Sequence, residues 1–318
     1  MKNIGNFLKY YYSYNARSRR IGKLGIKKYC ADNKYVSRSI YSHEDVNKII
    51  YDLIISGKPF LVGRFGGNEL SMLKTVEFDI KSKMDVCLEY LCNNAGFFPK
   101  EKFNAQKFRN EMLNFCRECD VLGVWFRPFE DYFIKKYMRR DLVCAHIHDI
   151  EPWKYESKPW SAALKGKKVL VIHPFEETIK AQYKRRKEIF PGTDILPDFE
   201  LKTFKAIQTA AGEADSRFQT WFEALDYMFI EVMKIDFDIA IIGCGAYGAP
   251  LAAKIKNAGR QAIHLGGPTQ ILFGIKGDRW ERSNQFSYVQ RWFNDSWVRP
   301  NDEEKPKNSN NIENSCYW

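Results

Sequence analysis

One stretch near the C-terminus constrains the fold more than any other. It reads Asp238-Ile-Ala-Ile-Ile-Gly243-Cys-Gly245-Ala-Tyr-Gly248-Ala-Pro-Leu-Ala-Ala-Lys-Ile-Lys. An apolar run leads into Gly-x-Gly-x-x-Gly, and a helix-like stretch follows. A second apolar run, Gln261-Ala-Ile-His-Leu, ends in Gly266-Gly267. This is one β-α-β unit, with glycines where the backbone must turn tightly and approach an anion or a packed neighbour. A dinucleotide fold puts an acid at the end of the second strand to hold the ribose hydroxyls. Here that place holds His264-Leu265-Gly266-Gly267. Only about fifty residues follow, too few to complete a nicotinamide domain. The pattern predicts a nucleotide-type α/β fold and argues against an ordinary dehydrogenase.

Earlier segments fit the same class. Ser42 caps a helix on which Val46, Ile49, Ile50, Leu53 and Ile54 recur at helical spacing, and Gly57-Lys-Pro59 ends it. Phe60-Leu-Val reads as a strand running into Gly63-Arg64-Phe65-Gly66-Gly67-Asn68-Glu69, with a helix resuming at Leu70. Residues 80–119 read as helical, broken at Gly96-Phe-Phe-Pro99. Val121–Trp125, Leu142–Ile147 and Lys168–Ile172 read as strands, Ile195-Leu-Pro197 as a short one, and Phe175–Ile189 and Trp221–Met233 as helices. Strands alternating with helices imply a Rossmann-like, mostly parallel sheet flanked by helices. The expected organisation is a basic, aromatic leader over 1–35, a single α/β catalytic domain over 36–300, and a disordered polar tail over 301–318.

Charge is concentrated at the start. The net charge is +11, and before the first acid, Asp32, stand Lys2, Lys9, Arg17, Arg19, Arg20, Lys23, Lys27 and Lys28. Phe7, Tyr10, Tyr11, Tyr12 and Tyr14 interleave with them. Residues 1–30 therefore either lie on an anionic membrane surface or form a solvated arm whose tyrosines pack on the domain. No nucleic-acid partner is expected, since that reading has charge alone behind it. The 8 cysteines are scattered, several within apolar runs, and Cys116-x-x-Cys119 has no partner pair at zinc spacing. With no signal peptide and no apolar run near twenty residues, the expected location is cytoplasmic, with a peripheral position at the inner membrane face as the variant.

Four segments offer chemistry. In Arg64-Phe65-Gly66-Gly67-Asn68-Glu69 a helix N-terminus follows two glycines; Arg64 can pair with a diphosphate and Glu69 can ligate a metal, or the set is a capped helix start with a structural ion pair. Gly243, Gly245 and Gly248 serve either a nucleotide or strand–helix packing. Gly266, Gly267, Thr269, Gln270, Lys276 and Arg279 line a glycine-rich path at a strand's carboxyl end, where open α/β sheets bind ligands. His173, with Glu176 and Glu177 just beyond it, ends another strand and supplies candidate bases.

Together the two glycine turns resemble a bacterial family, the glycosyltransferases of the GT-D fold. That family carries an Arg-Phe-Gly-Asp-Gly-Glu-like motif near its start, matched here by Arg64-Phe65-Gly66-Gly67-Asn68-Glu69. Nearer its end it carries an Ile-Gly-Ala-Gly-like strand turn and a Gly-Gly segment, matched by Ile242-Gly243-Cys244-Gly245 and Gly266-Gly267. The resemblance spans roughly residues 45–280 and rests on these short anchors. It implies transfer of a sugar from a nucleotide-sugar donor to a glycan or lipid-linked acceptor of a surface polysaccharide or glycoconjugate. With the polar residues of the strand-edge path added, the expected donor site is Arg64, Gly66, Gly67, Asn68, Gly243, Gly245, Gly248, Gly266, Gly267, Thr269, Gln270 and Lys276. Glu69, His173 and Glu177 are the candidate catalytic residues. In the family the Asp-x-Glu is linked to a divalent metal, Mn or Mg. Glu69 matches its glutamate, but Gly67 stands where the aspartate would be. The alternatives are a nucleotide-dependent oxidoreductase or epimerase and a non-catalytic nucleotide-sugar-binding protein.

Overall fold

The computed structural model describes residues 3–32, 34–155, 157–213, 215–312 and 315–318, so Lys2 of the leader and Glu313 and Asn314 of the tail lie outside the described residues. Eight strands form one sheet among these: β1 (Ile40–Tyr41), β2 (Leu61–Arg64), β3 (Val121–Val124), β4 (Val143–His146), β5 (Lys168–His173), β6 (Glu200–Lys205), β7 (Ile239–Ile242) and β8 (Gln261–His264). Their order is β1-β4-β3-β2-β8-β7-β5-β6, and every pairing is parallel. The α/β class expected from the sequence holds. A parallel sheet must be covered on both faces, and strands buried on both faces read as continuous apolar runs. β2, β3, β7 and β8 are buried at every position. Their pleat sends alternate residues to two cores: Ala240 and Ile242 to one, Ile239 and Ile241 to the other.

The α-helices up to residue 257 are, in chain order, α1 (Ile4–Leu24), α2 (Ile26–Asp32), α3 (His43–Ile55), α4 (Gly67–Glu77), α5 (Lys81–Ala95), α6 (Lys102–Glu118), α7 (Glu130–Tyr137), α8 (Glu176–Lys184), α9 (Arg186–Ile189), α10 (Trp221–Met233) and α11 (Gly248–Asn257), with shorter ones beyond. Ser42 caps α3 as expected, its Oγ accepting from the Asp45 N–H at 3.1 Å. The strand expected at 195–197 is absent. The strand that lies beside β5 is β6, a half-exposed edge strand of mixed polarity.

The leader is helical, and one side of it is part of the domain. Phe7 of α1 packs on Phe78 and Phe129, with ring centroids 5.5 and 5.0 Å away, and Tyr10 meets Tyr132 edge-on at 5.1 Å. Arg17 is buried and donates to Asp131 at 2.8 Å. A buried cation needs such a counter-charge, so this pair fixes α1 against α7. The tail expected to be disordered is also packed: Glu304, Ile312, Cys316 and Trp318 are buried. Its own carboxylate does part of this, since Glu304 accepts from the N–H groups of Glu177 and Thr178 at the start of α8. No described helix is long and apolar enough to cross a membrane.

The end of α4 is locked by one carboxylate. Glu77 accepts from Tyr132 and Tyr137 at 2.6 Å, from Lys136 at 2.7 Å and from Arg109 Nε at 2.8 Å, joining α4, α6 and α7. Burial alone would raise its pKa, but these four donors outweigh that and lower it from 4.5 to about 2. A carboxylate held below its unfolded pKa stabilises the fold above that value and loses the contribution as pH falls. Glu77→Gln is therefore expected to flatten the loss of stability between pH 4.5 and about 2, measured by urea denaturation across that range.

Candidate functional site

Parallel strands deliver their ends to one edge, and a cavity of about 1010 Å³ lies there. Arg64 of β2, Trp125 after β3, His146 of β4, His173 of β5, Gly243 after β7 and His264 of β8 all line it. The leader supplies Tyr14, Ser18, Ile21 and Ile26, and the tail supplies Ile312, Tyr317 and Trp318. The volume is at the upper end for small-ligand sites, which run to about 1,000 Å³.

Behind the lining residues Arg64 and His148 is a buried carboxylate that sequence reasoning missed. Glu151 lies 3.5 Å from the Arg64 guanidinium, 3.1 Å from His148 Nδ1 and 2.6 Å from Tyr288 Oη. Burial works to raise its pKa, but its contacts with His148, Arg64 and Tyr288 prevail and lower it, so Glu151 is ionised. The proton assignments follow. Tyr288 has one proton and donates it to Glu151 Oε2. Tyr288 Oη therefore accepts from His148 Nδ1, 2.8 Å away, so Nδ1 carries a proton. Whenever that ring is neutral, its lone pair is on Nε2. A carboxylate that holds a histidine in one tautomer is the usual way to orient a general base. The signal in the sequence was His146-Ile-His148-Asp-Ile-Glu151 directly after a recognised strand.

Arg64 lines the cavity, and it also makes the structural ion pair that was its alternative reading. It is buried, stacked 4.9 Å over the Trp125 ring and paired with Glu151, and burial lowers its pKa from the usual arginine value. Lys74 of α4, Arg127 and Arg279 also line the cavity, giving it a positive wall. Burial lowers the Lys74 pKa as well. The β3 end is held by buried Glu130, which accepts from the Trp125 N–H at 3.1 Å and whose pKa burial raises to about 7.

The remaining predicted residues divide. Gly66, Gly67, Asn68 and Glu69 line the cavity at the start of α4. Glu69 occupies the N3 position after the Gly66 N-cap and folds back over Gly66, where a Cβ would collide with its carboxylate. That is the placement of a capping-box glutamate. His173 also lines the cavity, but its Nδ1 accepts from the Phe175 N–H at 3.0 Å and burial lowers its pKa to about 3. Its Nε2 is thus protonated and faces the site as a donor rather than a base. Four predicted residues, Glu177, Lys276, Thr269 and Gly248, are not brought to the cavity wall. Glu177 is outside the cavity lining, its side chain 62% exposed and paired with Lys180 at 2.9 Å. Lys276 is outside it too, its Nζ 5.6 Å over the Phe293 ring, and Arg279 stands in the wall instead. Thr269 is fully buried and donates to the Ile242 carbonyl at 3.2 Å.

The glycines of the second turn are spent on packing. A Cβ at Gly243 would meet the Gly266 carbonyl and Thr269 Oγ1 at 2.6 Å, and one at Gly248 would strike the His264 ring. Gly245 has φ +57° and would press on the Ala95 carbonyl at 2.7 Å. Gly266 has φ +69°, and Gly267 lies under the Tyr317 ring. Gly243, Gly245, Gly266 and Gly267 still form part of the cavity wall, so close packing is what brings that backbone to the site. Gln270 lines it as well, its Nε2 donating to the carbonyls of Ile275, Lys276 and Tyr317.

Four polar atoms of lining residues are buried without a hydrogen-bond partner: Trp125 Nε1, His264 Nδ1, Gln270 Oε1 and Trp318 Nε1. Such orphaned groups are rare in folded proteins, and each calls for a partner such as a water, an ion or a ligand. Burial, followed by repulsion from Arg64, lowers the His264 pKa to about 3, so its ring is neutral. The donor set does not fit a resident metal. Among the described residues no group of three His, Cys, Asp or Glu side chains is arranged to hold one. At the family motif, Glu69 is turned onto Gly66 and Gly67 brings no carboxylate.

Fold and site thus define an α/β protein with a polar, cationic ligand crevice at the carboxyl edge of a parallel sheet. Two solved structures are similar to it. One is described as the highly conserved domain of unknown function 1792 with a distinct glycosyltransferase fold, at 12% identity and a TM-score of 0.42, covering 83% of this chain and 96% of that one. The other is a selenomethionine-substituted structure of the same domain, at 12% identity and a TM-score of 0.36 with the same coverage. No protein-family model and no curated protein matches the chain.

Packing and openness can be separated by adding one methyl group. Gly243→Ala and Gly248→Ala are expected to lose about 1–3 kcal/mol through overpacking. Gly67 has nothing within 4 Å of the position a Cβ would take. Gly67→Ala is expected to stay within about 1 kcal/mol of wild type, on the stabilising side. Thermal and chemical denaturation of the three variants measures the contrast.

Proposed function

We propose that this protein is a glycosyltransferase that moves a sugar from a nucleotide-sugar donor to a hydroxyl of a glycan or lipid-linked acceptor. The observation that carries the reading is the pairing of a buried guanidinium, Arg64, with a carboxylate-oriented histidine, His148, on one Glu151 at the carboxyl edge of the sheet. The resemblance of the two glycine turns supplies the substrate class.

In this scheme the donor diphosphate lies against Arg64, with Lys74 and Arg279 on the same wall. The acceptor oxygen attacks the anomeric carbon. The bond from that carbon to the phosphate oxygen breaks, and the nucleoside diphosphate leaves with the electron pair. His148 Nε2 takes the hydroxyl proton, and Glu151 and Tyr288 stabilise the imidazolium so formed. Cations fixed in advance at the leaving group lower the barrier because charge grows there in the transition state. His173, as a donor, and His264 and Gln270, with their orphaned atoms, orient sugar or nucleotide. One base and one leaving group describe a single displacement, which inverts the anomeric centre. No step is assigned to a metal.

The test is a thermal-shift panel of UDP-, GDP-, CMP- and dTDP-sugars on wild type, Arg64→Gln and His148→Gln, followed by turnover with the donor that binds. A ligand bound to the native state raises its stability with concentration above the dissociation constant. The expected result is a shift with one nucleotide class, largely lost in Arg64→Gln and retained in His148→Gln. Turnover in His148→Gln should fall about 10²–10⁴-fold, the usual worth of a positioned base. A shift with NAD(P) or FAD alone would transfer the site to an oxidoreductase or epimerase. Tight donor binding without turnover across glycan acceptors would make it a binding protein.

A further inference from the structure

The outward face of α1 has no part in the chemistry above, and its pattern is unlike that of a solvated helix. Ile4, Leu8, Tyr11 and Tyr12 are 57%, 44%, 47% and 64% exposed. Their spacing of four, seven and eight residues puts them on one stripe. The opposite side carries Phe7, Tyr10, Tyr14, Arg17 and Ile21, and the Arg17–Asp131 pair and the Phe7 and Tyr10 ring contacts hold it down. The helix is therefore not free to roll its apolar stripe inward. Toward the C-terminal end the same outward side turns basic, with Arg19, Arg20 and Lys23, and α2 adds Lys27 and Lys28. Lys9 borders the apolar half. All six of these cations are exposed, and none makes an ion pair with a described carboxylate. No acid occurs before Asp32.

We propose that α1 docks this protein on an anionic lipid bilayer, with Ile4, Leu8, Tyr11 and Tyr12 entering the headgroup–acyl boundary and the basic residues facing the lipid phosphates. An apolar stripe flanked by unpaired cations is the composition that binds the plane of a charged interface. A polyanion in water would satisfy the cations alone and leave Ile4 and Leu8 exposed. The geometry also ties this surface to the cavity. The inner edge of the same helix, at Tyr14, Ser18 and Ile21, and Ile26 of α2 line it. Docking through the outer stripe brings the cavity alongside the headgroup layer. This surface is independent of the reaction assigned above and stands or falls separately from it.

The experiment is co-sedimentation of the full chain with large vesicles of phosphatidylcholine, with and without phosphatidylserine at about 30%. It is run on wild type, on Leu8→Gln/Tyr12→Gln and on Lys23→Gln/Lys27→Gln/Lys28→Gln. Every substituted side chain is exposed, so unchanged circular dichroism and melting temperature check that both variants fold. Wild type is expected to bind the anionic vesicles at least about tenfold better than the neutral ones, and less well as salt shortens the screening length. Each variant is expected to lose about fivefold or more, the first because less apolar area is buried, the second because the lipid charge is no longer met. The proposal is overturned if wild type ignores both vesicles or binds them equally. It is also overturned if the Leu8/Tyr12 variant binds as wild type does. Salt-sensitive binding of a short RNA or DNA duplex, with no binding to anionic vesicles, would assign the face to nucleic acid and overturn it likewise.

Discussion

All eight strands run the same way, and the rest of the molecule follows from that. Parallel neighbours cannot be joined by tight turns, so the chain must cross over between them and cover both faces with helices and loops. The crossovers begin at one edge, and every side chain that follows a strand there meets those of the neighbouring strands. Arg64, Trp125, His146, His173, Gly243 and His264 are far apart in sequence and share a wall for this reason alone. β8 lies between β2 and β7 in the centre of the sheet, which brings the two glycine turns within one strand of each other although 177 residues separate their leading glycines, Gly66 and Gly243. Neither turn would make a site alone.

The central strands were legible because burial on both faces leaves little but aliphatic residues in them. β2, β3, β5, β7 and β8 announce themselves in this way. β6 did not, because an edge strand with one partner alternates charged and apolar residues, and the neighbouring Ile195-Leu-Pro197 looked the better strand. The tail was misjudged on composition. Its polar residues do make contacts, but with backbone: Glu304 binds the N–H groups that open α8, and the Tyr317 carbonyl receives the Gln270 amide. Such pairings carry no periodicity.

The site was legible in outline and not in its centre. Arg64 and the glycine turns were recognisable because a backbone that must bend sharply after a strand needs small residues, whatever binds there. His148 lies in a 3-10 turn after β4 and Glu151 just beyond it, and their one local mark is the run of two histidines and two acids continuing from the strand. Their partner Tyr288 is 137 residues from Glu151. Three groups brought together from distant turns are a tertiary property. The same holds in reverse for Glu177 and Lys276, whose local settings looked right but whose side chains leave on the wrong side of their elements.

The open position at Gly67 has a bearing on how such a site changes over time. Glycine and aspartate codons differ by one base. Gly67 is the first residue of α4, points to free space, and stands where a negative charge favours the helix dipole. A lineage could therefore gain a second carboxylate beside Glu69, or lose one, in a single nucleotide step that the surrounding structure does nothing to oppose. Arg64 has less freedom: it is enclosed by Glu151 and the Trp125 ring, and its exchange leaves a buried carboxylate without its cation. The carboxylate count at that corner would then drift readily in proteins built this way, while the buried Arg64–Glu151 pair stays put.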